Sequence, residues 1–106
     1  MSVTDQQPTL SEKYGVNYDA LPEHMRSGAR LYIEDGIPPG DFMLAILTND
    51  LKGAFGRADE INRSLIETWI RWTYNDIPGG AQGSVELVQA WMNARGLHQF
   101  EAQVPA

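Results

Sequence analysis

The sequence predicts an all-α protein: a small bundle of about four helices with a flexible N-terminal arm. Apolar residues recur at three- and four-residue steps through several segments, the spacing of helices that each lay one face on a core. Proline, glycine and short polar residues stand at the edges of those segments, where helices start and stop. A chain of 106 residues has room for one modest core, since a domain of this size buries only ~60–70% of the surface its unfolded chain exposes.

Residues 1–20, "MSVTDQQPTLSEKYGVNYDA", mix polar residues with Pro8 and Gly15 and hold no sustained period, the composition of a mobile arm. Tyr14, Val16 and Tyr18 alternate, which would let part of the arm lie against the body in extended form. The helical domain is expected over 21–96. Its first helix runs from about Pro22 to Asp35, proline being well tolerated in a first turn. Met25, Ala29, Tyr32 and Ile33 fall on one face, and Glu23, Ser27, Arg30 and Glu34 on another. Gly36 ends it; in the left-handed conformation it would let Ile37 fold back onto Tyr32. Pro38 and Pro39 then impose an extended joint.

The second helix should begin near Pro39 or Gly40, with Asp41 in the first turn, where the helix dipole favours negative charge. The six consecutive apolar residues of "DFMLAILTND" would also suit a buried strand, but the proline-led start and the shortage of β-branched residues favour a helix. Apolar all round, it is placed at the centre. The third helix, "DEINRSLIETWIRWTYN", carries a stripe of Ile61, Leu65, Trp69 and Trp72, widened by Ile66, Ile70 and Tyr74. Asp59 is its expected N-cap, Asp59–Arg63 and Glu67–Arg71 are acid-before-base pairs, and Ile77 before Pro78 stops it by Asp76. After the loop "PGGAQG", Ser84 caps a fourth helix expected to bury Val85, Leu87, Val88, Trp91 and Met92. Gly96 closes it, Leu97 packs on Met92, and 97–106 form a tail tethered by Leu97 and Phe100.

The stretch "NDLKGAFGRADE", residues 49–60, admits three readings. A phosphate-binding loop of the Walker type needs glycines four residues apart followed by Lys and Ser or Thr; here two residues separate Gly53 from Gly56 and Arg57–Ala58 follow. A helix-turn-helix would make the third helix the recognition helix, and its carboxylates would repel a phosphate backbone. The physical reading preferred is a bend between helices, with Gly53 and Gly56 breaking the chain and Phe55 anchoring it.

Charge and composition exclude several chemistries. The formal charge is −6, fourteen acidic residues against eight basic, which argues against direct nucleic-acid binding and permits attraction to basic protein surfaces. With no cysteine, a disulfide framework, a thiolate metal site and a thiol nucleophile are all excluded. His24 and His98 lack the spacing of a metal site. Adjacent carboxylates such as Glu34–Asp35 and Asp59–Glu60 point apart on a helix rather than toward one substrate. No enzyme activity, cofactor or metal is expected. The longest apolar run, Phe42 to Leu47, is far short of the ~20 residues of a membrane helix, so a soluble chain is expected.

The stretch "GIPPGDFMLAILTNDLKGAFGRADEIN", with "WTYNDIPGGAQGS" leading into "VELVQAWMNARG", resembles a family of small proteins encoded by phages and prophages, over residues 21–96. Within that setting, length and acidic balance are similar to a type I-E anti-CRISPR. The resemblance implies a non-catalytic inhibitor that binds a protein component of a type I-E CRISPR–Cas system, an effector or nuclease, in the cytoplasm of the infected bacterial host. It transfers no functional residues. Charge and resemblance together give an acidic helical surface formed by Glu34, Asp35, Asp59, Glu60 and Glu67 as the expected partner-binding site. The alternative is a phage DNA-binding or regulatory domain using a helix-turn-helix around residues 50–60.

Overall fold

A computed structural model describes residues 9–102. Among them are eight helices and no strand: α1 (Leu10–Lys13), α2 (Glu23–Asp35), α3 (Asp41–Leu47), α4 (Leu51–Arg57), α5 (Glu60–Ser64), α6 (Ile66–Asn75), α7 (Val85–Asn93) and α8 (His98–Ala102). A 3₁₀ turn at Gly79–Ala81 precedes α7. The fold is all-α, as expected, but it divides into five helices of seven residues or more and three short ones rather than four long rods.

The core is aromatic. Tyr18, Trp72, Trp69 and Phe42 stack in series with ring centroids 6.1, 5.8 and 5.2 Å apart. Burying an indole leaves its N–H in need of an acceptor, and all three tryptophans find one. Trp69 donates to Asn62 Oδ1 at 3.2 Å, Trp72 to the Asn17 carbonyl at 2.6 Å and Trp91 to the Tyr32 carbonyl at 3.1 Å. Tyr32 donates its hydroxyl to the Ala81 carbonyl at 2.7 Å. The polar edges of the largest side chains thus tie α7 to α2 and α2 to the 3₁₀ turn, and α6 to α5 and to the chain at Asn17.

Residues 9–20 depart from the flexible arm expected over 1–20, of which 1–8 lie outside the described residues. Thr9 caps α1 in a reciprocal box with Glu12, and Ser11, Val16, Tyr18 and Leu21 are buried. Ser11 Oγ and Tyr18 Oη are 2.6 Å apart, and the Ser11 amide donates to Glu34 Oε2 at 3.0 Å. The polar residues that read as an arm are satisfied locally, freeing the apolar ones to dock. At the other end Leu97 is fully buried and Phe100 lies against Trp91 and Tyr14. Glu101 accepts from Lys13 Nζ at 2.8 Å and from the Tyr14 hydroxyl at 2.7 Å. These two donors hold its carboxyl below its ordinary range, and Glu101 in turn raises the Lys13 ammonium and the Tyr14 phenol.

Helix α2 starts and stops as expected. Gly36 adopts φ 70° and its amide donates to the Tyr32 carbonyl, but Ile37 remains exposed: its amide, bonded to the Leu31 carbonyl, completes the cap instead of its side chain. Gly96 closes the stretch after α7 at φ 61°. The two left-handed glycines meet backbone to backbone. A Cβ on Gly36 would lie 2.9 Å from the Met92 carbonyl oxygen and 3.0 Å from the Gly96 nitrogen, while one on Gly96 would meet the Glu34 carbonyl carbon at 2.8 Å. The Leu97 amide bonds the Ile33 carbonyl at 2.9 Å across this crossing.

Three further expectations are corrected. Gly53 and Gly56 do not break the chain: both lie within α4, capped by Asp50, whose Oδ1 accepts from the Gly53 amide at 3.0 Å. The reversal falls earlier, at Asn49 with φ 68°, and Phe55 is exposed rather than an anchor. The third expected helix is two, α5 and α6, interrupted at Leu65, so that Ile61 and Tyr74 face outward and Asn62 is buried. Val85 and Leu87 are exposed on α7, whose inward face is Val88 and Trp91.

Candidate protein-binding face

The five carboxylates expected to form a contact surface are divided between structural tasks. Glu34 accepts from the Ser11 amide, and Asp35 Oδ1 lies 2.7 Å from His98 Nε2. Asp59 caps α5 through the Asn62 amide at 2.7 Å and lies 3.0 Å from His24 Nε2; the amide first, then the imidazole, hold its carboxyl below the ordinary value. Glu67 pairs with Arg71 at 2.7 Å, as expected, while Arg63 reaches the Ala58 carbonyl instead of pairing with Asp59. Glu60 is exposed in the first turn of α5. Glu34 and Asp35 sit at the C-terminal end of α2, and Asp59 is held at its N-terminal end by His24. At 1.5 Å per residue these sites are about 16 Å apart along the helix. The structure therefore brings Glu34 with Asp35, and Asp59 with Glu60, without joining the two pairs.

From Gly53 on, the amides of α4 are taken up by Asp50 and by the helix itself. The Gly53 amide bonds the Asp50 side chain and the Ala54 amide bonds the Asp50 carbonyl. Helices α4 and α5 do meet at a short turn, Ala58–Asp59, and the second of them has five residues and begins at Glu60 behind its Asp59 cap. No group of three or more His, Asp or Glu side chains placed to hold a metal occurs among the described residues.

What the fold gathers here is two clefts that meet. The first, about 280 Å³, lies between α3 and α7, floored by Leu44, Ala45, Val88 and Met92 and bordered by Asp41 and Arg57. The second, about 330 Å³, lies between the α3–α4 reversal and α6 and is lined by Asn49, Asp50, Tyr74 and Gln82. Ala45 and Asp50 belong to both. No family model, curated protein or solved structure matches this chain. The site is therefore read from its own geometry.

That geometry is apolar side chains left uncovered around the clefts. Tyr74 is 79% exposed and Val85 64%, and each lines one cleft. Leu51 is exposed at the edge of the second, and Phe55, one turn further along α4, continues its stripe. Large apolar side chains this open, two of them on one cleft, mark interaction surfaces more than solvated ones. The bend reading makes Phe55 an anchor, and periodicity reads Tyr74, Val85 and Leu87 as core. Their spacing is that of buried residues, and spacing alone carries no signal of whether a neighbouring helix covers them.

Proposed function

We propose that this protein acts by binding another protein, without catalysis of its own, and that its contact face is the pair of clefts around the α3–α4 reversal. The observation that carries this reading is the exposure of large apolar side chains at these clefts, Leu51 and Tyr74 on the second and Val85 on the first, with Phe55 exposed further along α4. Such a face fits the anatomy of an interface: apolar anchors at the centre and charged groups, here Asp41 and Asp50, at the border. A net charge of −6 steers it toward a basic partner surface. The resemblance to small phage proteins supplies the partner: a protein component of a type I-E CRISPR–Cas system, whose nucleic-acid-holding surfaces are basic. The carboxylates Glu34, Asp35, Asp59, Glu60 and Glu67 then add long-range attraction rather than the contact itself.

The test uses the purified type I-E surveillance complex and its nuclease, each mixed with this protein and run on size-exclusion chromatography. Phage plating on a host with an active type I-E system is measured in parallel. Co-elution with one component and restored plating are expected, both lost in a Phe55→Glu/Val85→Glu double variant whose circular dichroism is unchanged. Absence of co-elution together with unaffected plating overturns the reading.

A further inference from the structure

The second cleft differs from the first in what borders it. Arg57 lines the first, whereas among the described residues the lining of the second contains no lysine or arginine. Its one charged lining side chain is the Asp50 carboxylate; the Asn49 and Gln82 amides can turn an oxygen toward a donor, and the Thr73 hydroxyl, whose own proton is given to the Ile70 carbonyl at 2.8 Å, is left to accept. Beside them stands the Tyr74 ring, 79% exposed. Leu51 and Ile70 supply apolar wall. A volume of about 330 Å³ is at the small end of ligand pockets.

We propose that this cleft receives an arginine side chain of the partner protein. A guanidinium is planar, carries five donors and no acceptor, and stacks on aromatic faces while its stem lies along apolar surface. Each property has its counterpart here: a carboxylate for the charge, amide and hydroxyl oxygens for the remaining donors, Tyr74 for the face of the fork, and Leu51 with Ile70 for the methylenes. A phosphate, a carboxylate or an acidic peptide meets the Asp50 negative charge in the same place. The Arg57 and Asp50 side chains both fold over Gly53, the Arg57 Nη1 lying 2.6 Å and the Asp50 Cγ 2.7 Å from where a Cβ of that residue would stand. Arg57 competes with the incoming guanidinium for Asp50. This assignment rests on the protein-binding reading above and specifies which partner residue fills which part of that face.

The probe is a blocked peptide, acetyl-Leu-Arg-Leu-amide, titrated into the ¹⁵N-labelled protein. Its citrulline counterpart, equal in shape and uncharged, is the control. Amide shifts centred on Asn49, Asp50, Tyr74 and Gln82 are expected, with the arginine peptide binding about tenfold more tightly than the citrulline one. Asp50→Asn keeps the cap of α4, because asparagine caps as well as aspartate, and should cost about tenfold. Tyr74→Ala should weaken binding several-fold, and Arg57→Gln should strengthen it. Equal affinity for the two peptides, or shifts centred on the α3–α7 cleft, overturns the assignment. If the peptide fails while a type I-E component still binds the protein and not the Phe55→Glu/Val85→Glu variant, the pocket is wrong and the protein-binding reading stands. If the peptide binds in the second cleft but no such component does, the pocket stands and the choice of partner falls.

Discussion

Gly53 and Gly56 occupy one short helix, yet alanine has opposite consequences at the two positions. Around Gly56 nothing lies within 4 Å of a built Cβ, so alanine only restricts the unfolded chain and adds helix propensity. At Gly53 the same atom falls on the Asp50 carboxylate and 2.7 Å from Asp50 Cγ. The carboxylate must swing away, taking with it the hydrogen bond that caps α4. Losing such a cap costs about 0.5–2 kcal/mol, as much as the ~1 kcal/mol that alanine gains over glycine. Gly56→Ala is therefore expected to raise stability by about 0.5–1 kcal/mol, whereas Gly53→Ala leaves it unchanged or lowers it. Urea unfolding midpoints of the two variants decide this; equal gains would mean that Asp50 does not cap α4. Two glycines in seven residues read as a break because propensity treats them alike. The difference lies in a side chain three residues away that needs the missing Cβ.

At the scale of elements, the split between α5 and α6 follows from a competition for one carbonyl. In an unbroken helix the Leu65 amide would bond the Ile61 carbonyl; Ser64 Oγ takes that oxygen at 2.8 Å, and the amide turns to Asn62 at 3.1 Å instead. The register slips, Ile61 swings out to 54% exposure, and Asn62 moves inward to accept from Trp69. Asn62→Leu is expected to leave that indole N–H buried without an acceptor and to cost about 1–3 kcal/mol. Ile61→Lys, on the exposed side of the same break, should change stability by less than about 0.5 kcal/mol. A drop in denaturation midpoint for the first variant alone, at constant m-value, checks both. Sequence makes the ends of α2, α6 and α7 legible because caps are local chemistry: Gly36, Asp76 and Ser84 stand where expected. The break at Leu65 is not legible, and of the packing of residues 9–21 only the alternation that buries Val16 and Tyr18 is, since the rest depends on partners brought from elsewhere: Trp69 for Asn62, and Glu34 and Trp72 for the chain around Ser11 and Asn17. The candidate site is hidden for the same reason. Tyr74, Val85 and Leu87 have core spacing, and what distinguishes them is that no helix among the described residues covers them.

Across the whole molecule, stability should depend on two buried phenols. Tyr18 packs on Trp72 beside Ser11, and burial pushes its hydroxyl up to about 12, with the Ser11 hydrogen bond acting in the opposite direction. Burial raises Tyr32 as well, its hydroxyl held on the Ala81 carbonyl. In the unfolded chain both ionise near 10, so above that pH the unfolded state releases protons that the folded state keeps. Their contribution is therefore fully present below pH ~10 and is lost as the pH rises toward and through the folded-state value. Each group removes about 1.4 kcal/mol per pH unit over that window, roughly 2–3 kcal/mol for the pair by pH 11. Against the 5–15 kcal/mol typical of a domain, that is enough to bring cooperative unfolding close. Phenolate absorbance at 295 nm should rise in two phases on alkaline titration, the second coinciding with loss of helical circular dichroism. Tyr32→Phe should start from a lower stability at neutral pH, because the Ala81 carbonyl loses its donor, and then lose stability less steeply above pH ~10. Complete ionisation of all tyrosines below pH 11 with the helical signal intact would contradict the buried positions of Tyr18 and Tyr32, and with them the tie between α2 and the 3₁₀ turn that frames the second cleft.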